Sequence, residues 1–234
     1  MGDKYPNFDI QGIDLSPIQP TNVPPNVGFY VDDASEYDWN VEPGRFDFVH
    51  TRAMLGSFTS YGDIIKRALH YIKPGGYMES QEIMFTPTCE DGSMPPDWPF
   101  LDWTILSDEA SEKGGTPLTI ANKLKGWYEE AGFVDVREEV FKMPMNEWPL
   151  EPRLKKLGAV NELNWLAGIA GFTYKPFQNV LGWTKDQIEV CQLLPPCAFG
   201  MPFQLERMSL SSEIIGVPGG RAKMHLGQER TCVS

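Results

Sequence analysis

The stretch "FDIQGIDLSPIQP", Phe8 to Pro20, is an apolar run that closes on an acid: Gly12-Ile13-Asp14 ends it. In α/β nucleotide-binding domains the second strand commonly finishes this way, with a carboxylate that accepts hydrogen bonds from the vicinal hydroxyls of a ribose. The other reading of Asp14 is a cap for the turn "SPIQP" that follows. Three more strand-like runs lie downstream: Val27 to Asp33 ("VGFYVDD"), Arg45 to Thr51 ("RFDFVHT") and Gly76 to Phe85 ("GYMESQEIMF"). Each is short, rich in β-branched or aromatic residues, and bounded by Pro, Gly or Asp.

Helical patterns alternate with these runs. In "SYGDIIKRALHYIKPGG", Ser60 is placed to cap and Ile64, Ile65, Ala68, Leu69 and Ile72 share one face, with Pro74-Gly75-Gly76 as the stop. In "TPLTIANKLKGWYEEAGF", Thr116 is the expected cap, Pro117 fills the first turn and Gly132 ends the helix. A strand is expected over Val134 to Met143, a helical region from about Pro152, and a capping box at Thr184 and Gln187. Strands alternating with helices predict an α/β fold with a mostly parallel sheet. Residues 1–194 are expected to form the domain. Residues 195–234, which keep no sustained period, are expected to be an irregular tail in which Ser212 to Val217 is at best one weak strand.

Composition sets limits on partners. The chain has 234 residues, 41% hydrophobic and 22% charged, with a net charge of −12 and a pI near 4.7. Such a chain repels nucleic-acid phosphates and anionic lipid, and its longest basic cluster, "RLKK" at Arg153 to Lys156, reads as a solvated helix face. Neither nucleic acid nor membrane is an expected partner. Cys89, Cys191, Cys197 and Cys232 show no CxxC spacing and the three histidines stand alone, so no metal site is expected. Free thiols and a cytoplasmic location are expected, with the nucleus as the alternative. A small-molecule substrate is the expected partner, and a homodimer or a protein partner stays open.

The acids and bases with chemical potential gather at strand ends. Asp32 and Asp33 end the second run, where a carboxylate can accept from an adenine amino group or simply cap. His50 and Arg52 end the third, and His50 is either a general base or a structural histidine. Glu79, Gln81 and Glu82 end the fourth, lining a substrate pocket or capping. In doubly wound folds ligands bind at this carboxyl edge.

The segments "GIDLSPIQP", "VPPNVGFYVDD", "FDFVHTRAMLGSF", "KPGGYMESQE", "AGFVDVREEVFKMP" and "VLGWTKDQIEV" together resemble the fungal LaeA-like S-adenosylmethionine-dependent methyltransferases, from Gly2 to about Val190. The resemblance implies a seven-stranded class I methyltransferase (Rossmann-like) fold, S-adenosylmethionine as cofactor, and a setting in fungal secondary metabolism. It assigns Asp14 to the ribose, Asp33 to the adenine with Asp32 as second choice, and the segment after Asp47 to the site edge. Independently of the resemblance, substrate is expected over the strand ends near His50, Arg52 and Glu82, with His50 as the catalytic candidate. In that family a strand and a GxGxG loop precede the Asp14 strand, a unit of about 30 residues or more. Here only Met1 to Asn7 stand before the strand. The expectation is an incomplete sheet, truncated at its start and with a doubtful last strand, and a weakened grip on the cofactor. The alternatives are a non-methylating cyclase or pericyclase using the same pocket, for which seven Trp and thirteen Phe suit an apolar substrate, and an inactive or regulatory remnant.

Overall fold

A computed structural model of the chain describes residues 1–89, 92 and 94–190, and the backbone of residues 204–213. It divides into two compact units, Met1–Glu42 and Pro43–Ser234.

The first unit holds a two-stranded parallel sheet. β1 (Ile10–Asp14) pairs with β2 (Val27–Val31), so that Asp14 lies opposite Val31, and the Asp32 N–H continues the ladder to the Asp14 carbonyl at 3.1 Å. Both strands therefore finish at one edge. The Asn26 side chain ties the preceding residues down, donating to the carbonyls of Tyr5 and Phe8, each at 2.9 Å.

The second unit is built on a four-stranded sheet. β3 (Phe46–Arg52) runs parallel to β4 (Ile72–Ile83), and β6 (Gln204–Glu213) lies antiparallel between β4 and β5 (Val136–Pro144). Within residues 195–234, expected to be an irregular tail with a doubtful last strand, residues 204–213 form β6, which pairs over Gln204–Ser212 with β5 and over Arg207–Glu213 with β4. The expected strand over Ser212 to Val217 overlaps β6 only at Ser212 and Glu213, and residues 214–217 lie outside the described residues, as do 191–203 with the expected boundary at 194. The expected incomplete sheet appears as two separate sheets: among the described residues β1 and β2 pair with each other and β3 pairs only with β4.

α1 (Tyr61–Tyr71) and α3 (Leu124–Ala131) pack together. Ser60 caps α1 by accepting from the Asp63 N–H, and Ile64, Ile65 and Ala68 are buried as the stripe requires. The chain leaves α1 at Tyr71 and enters β4 directly at Ile72. Lys73 to Gly76 lie in an irregular stretch of the β3–β4 register, so the Pro-Gly-Gly segment bends a strand and does not stop the helix. The helix expected from Thr116 begins later: Leu118 and Ala121 are buried, but regular α3 starts at Leu124 after a 3₁₀ turn over Ala121–Lys123. It ends where the glycine predicts, on Gly132 with φ 107°, a left-handed conformation that glycine adopts without steric cost.

α2 (Pro99–Lys113) and α4 (Pro152–Asn179) pack through an aromatic cluster of Phe85, Trp98, Phe100, Trp103, Trp165 and Phe177. Glu151 caps α4, accepting from the N–H groups of Arg153 and Leu154, with Pro152 in the first turn. Gly158 lets α4 approach the chain after β5, since a Cβ there would stand 1.8 Å from the Asn146 carbonyl oxygen. Residues 185–190 are helical and open on the expected reciprocal box: the Gln187 N–H donates to Thr184 Oγ1 and the Thr184 N–H to Gln187 Oε1.

Candidate functional site

At the carboxyl edge of the first unit, Asp14 is exposed. Its Oδ1 accepts from the Ser16 N–H at 2.8 Å, so the capping role weighed from the sequence is real. Its Oδ2 has no hydrogen-bond partner among the described residues and is open to a ligand. Asp32 Oδ1 accepts from the Asp33 N–H at 2.9 Å, and Asp33 Oδ1 from the Ser35 N–H at 2.8 Å. The parallel pairing of β1 and β2 thus brings the three acids to one edge, two strands wide. Asp14, whose Oδ1 is pinned by its own turn, is held in orientation, and its Oδ2 can accept from a hydroxyl or amino group.

In the second unit the strand register decides what meets what. His50 lies opposite Glu79, Thr51 opposite Ser80 and Arg52 opposite Gln81. Because side chains alternate along a strand, His50, Arg52, Glu79 and Gln81 share one face, and Thr51, Ser80 and Glu82 share the other, toward α1 and α3. On the first face His50 Nδ1 stands 3.0 Å from Glu79 Oε2, and Gln81 Nε2 donates to Glu79 Oε1 at 3.1 Å. His50 also stacks on Phe48, with ring centroids 6.1 Å apart. The Nδ1–carboxylate contact and the Phe48 stack together orient the imidazole on this face. Arg52 is exposed two residues further on.

The second face is a buried hydroxyl web. Thr51 Oγ1 donates to Ser80 Oγ at 2.8 Å, the Tyr61 hydroxyl donates to the same Oγ at 3.1 Å, and Tyr128 meets it at 2.6 Å. Glu82 adjoins the web. Expected to line a substrate pocket, it is instead fully buried, because its place in β4 turns it inward. The Met54 N–H donates to both of its oxygens, at 2.9 and 3.1 Å. Burial pushes the Glu82 carboxyl up to about 7 against the opposing pull of the Met54 and Leu55 N–H groups and the Tyr61 hydroxyl. The Tyr61 hydroxyl is raised too, first by burial and then by the charge of Glu82. No sequence period could have revealed this web, since its members come from β3, β4, α1 and α3; the signal available was a run of hydroxyl residues at inward positions of strands and helices.

A separate concavity of about 600 Å³ lies between α2 and the 185–190 helix, lined by Trp103, Leu106, Trp183 and Val190 with Asp102 and Asp186 among its walls. No group of His, Cys, Asp or Glu among the described residues is arranged to hold a metal ion. Among them no helix is long and apolar enough to cross a membrane. Cys89 is in no disulfide, and Cys191, Cys197 and Cys232 lie outside the described residues.

Residues 1–138 match the family described as "Methyltransferase domain", and the chain belongs to that family. Among curated proteins, the methyltransferase pytC of Aspergillus terreus is 39% identical over 191 residues, covering 81% of this chain and 58% of its own length. The secondary metabolism regulator LAE1 of Cochliobolus heterostrophus is 32% identical over 184 residues, covering 78% of this chain and 60% of its own. The chain thus spans less than two thirds of either relative. Among solved structures, the cyclopropane synthase MmaA2 from Mycobacterium tuberculosis is similar at a TM-score of 0.48 and 16% identity, over 87% of this chain and 70% of that one.

Proposed function

We propose that the chain is an S-adenosylmethionine-dependent methyltransferase of fungal secondary metabolism that acts on a small-molecule intermediate. The observation that carries the cofactor reading is the placement of Asp14, Asp32 and Asp33 at one edge of a parallel strand pair, in a chain of the methyltransferase family. Asp14 holds the ribose hydroxyls through its open Oδ2, and Asp33, with Asp32 beside it, faces the adenine amino group. Bound S-adenosylmethionine supplies an electrophilic methyl group. On the second unit, His50, its ring held by Glu79, is the proposed catalytic base, and Arg52 the proposed substrate contact. The name of the Cochliobolus relative supports a second reading, a regulator of secondary metabolism. Both readings use the same cofactor acids, so cofactor binding is common ground and turnover of a small-molecule acceptor divides them.

The test is the affinity of Asp14→Ala for S-adenosylhomocysteine, measured by titration calorimetry. Hydrogen bonds to a charged group contribute roughly 1.5–3 kcal/mol each, and tenfold in affinity is about 1.4 kcal/mol. Asp14→Ala is expected to bind at least tenfold more weakly than the parent chain. The control is Glu130→Ala, an exposed position of α3. Asp108 does not serve as a control: it is half-buried and accepts from the Thr119 N–H at 3.0 Å. Equal affinities for Asp14→Ala and Glu130→Ala refute the assignment.

A further inference from the structure

β3 ends abruptly. Arg52 is its last residue, and Ala53 turns with φ 54°, a left-handed conformation that a residue with a Cβ adopts at a cost. Such a turn persists only if its surroundings hold it. Two things do. The Ala53 N–H donates to the Gln81 carbonyl at 2.9 Å, and the next N–H, of Met54, donates to both oxygens of Glu82. The Leu55 N–H also bonds to Glu82. Gly56 then turns with φ 72°, its N–H on the Pro117 carbonyl at 3.0 Å. A buried carboxylate in this position is costly, and nothing in the proposed chemistry on the other face of the strands uses it.

We propose that Glu82 is a positioning residue: its carboxyl latches the Ala53–Leu55 turn onto the end of β4 and so fixes how the end of β3 presents His50 and Arg52. The inference rests on the methyltransferase reading only in giving those two residues a substrate to face. The latch itself is a property of the turn. The groups packed around Glu82 allow a proton to bear on it. From α1 comes Tyr61, in electrostatic contact with the carboxyl, and Tyr128 of α3 joins through Ser80. The His50–Glu79 pair occupies the opposite face of the strands. Opening the turn would return Glu82 to water, where a carboxyl ionises more readily than in its buried place. Raising the pH therefore favours the open turn, and a proton on Glu82 favours the closed one.

The experiment is amide hydrogen exchange at Met54 and Leu55, corrected for intrinsic rates, from pH 4.5 to 8, with the His50 imidazole followed by NMR in the same samples. No cofactor or substrate is added, so failure here leaves the methyltransferase reading standing, and loss of that reading leaves the latch standing. In Glu82→Ala the two amides are expected to exchange at least tenfold faster and the His50 signals to shift. Glu82→Gln, a neutral side chain of the same shape that keeps an acceptor for Met54, is expected to restore both. The parent chain should open progressively relative to Glu82→Gln as the pH rises. If Glu82→Ala does not fold, the comparison of the parent with Glu82→Gln still decides. Parallel exchange profiles for those two, or unchanged Met54 exchange and His50 signals in Glu82→Ala, overturn the proposal.

Discussion

Trp103→Ala is expected to destabilise the Pro43–Ser234 unit by about 3–5 kcal/mol, the cost typical of truncating a large aromatic residue in a packed core. Trp103 is 1% exposed and sits at the centre of the α2–α4 interface. Its ring lies 5.6 Å from Phe85, 5.3 Å from Phe100 and 5.9 Å from Trp165, centroid to centroid. Its Nε1 donates to Thr173 Oγ1 at 2.9 Å, and Thr173 in turn donates to the Ile169 carbonyl at 2.7 Å. Truncation therefore opens a cavity that stiff aromatic neighbours fill poorly, and it removes a buried hydrogen bond as well. Ile105→Ala, on the same helix but 55% exposed, should change stability by less than about 1 kcal/mol, as surface substitutions generally do. Urea unfolding followed by circular dichroism compares the two. Similar midpoints would mean that α2 is not packed on α4 through Trp103.

The second large effect is a pH dependence. A carboxyl raised from its ordinary 4.5 to about 7 in the folded chain binds its proton more tightly folded than unfolded. Well below pH 4.5 Glu82 is protonated in both states and its contribution is fully present. As the pH rises, the unfolded chain ionises first, and the contribution is lost by the time the pH passes 7. Each tenfold difference in proton affinity between the two states is worth about 1.36 kcal/mol, so the loss across this window is about 3 kcal/mol. Glu82→Gln has no group to titrate there. The stability of the parent minus that of Glu82→Gln should therefore fall by about that amount between pH 4.5 and 7.5, in denaturant titrations at matched ionic strength. A difference that stays constant within about 1 kcal/mol would place Glu82 in a wetter setting than the structure gives it.

Much of the fold was legible because local chemistry agreed with the global answer. The strand end at Asp14, the Ser60 cap, the Gly132 stop and the Thr184–Gln187 box are all short-range signals, and all reappear in the structure, while β2 closes at Val31, two residues short of the expected Asp33. α2 escaped for a physical reason. Its buried positions follow helical spacing but are filled by Phe100, Trp103, Thr104, Ser107, Ala110 and Ser111, so hydroxyl residues blur the apolar stripe, and Trp98 offers no side-chain cap. β6 escaped because "QLERMSLSSE" pairs on both sides, and its partners lie far off in sequence, in β4 and β5. Thr-Pro is a good helix start, which makes Thr116 look like a cap, yet the burial of Leu118 and Ala121 is met by an irregular turn first.

At the candidate site the sequence identified residue types and strand ends but not faces. His50 and Glu79 are 29 positions apart and meet only through the β3–β4 register, which a bulge between Phe46 and Phe48 shifts. Without that register Glu79 and Glu82 look alike, two acids at the end of one strand. With it, one orients an imidazole at the surface and the other is buried against a backbone turn. The acids of β1 and β2 needed less, since a parallel pair with strands of equal length places both ends together.

Titration of S-adenosylhomocysteine into the isotopically labelled chain, followed by backbone amide NMR, tests the central claim most directly. The account predicts saturable shifts at the amides of Asp14 and Ser16 and of Asp32, Asp33 and Ser35, lost together in Asp14→Ala. Saturable binding that leaves those amides unmoved, or their failure to respond at millimolar ligand, would contradict it.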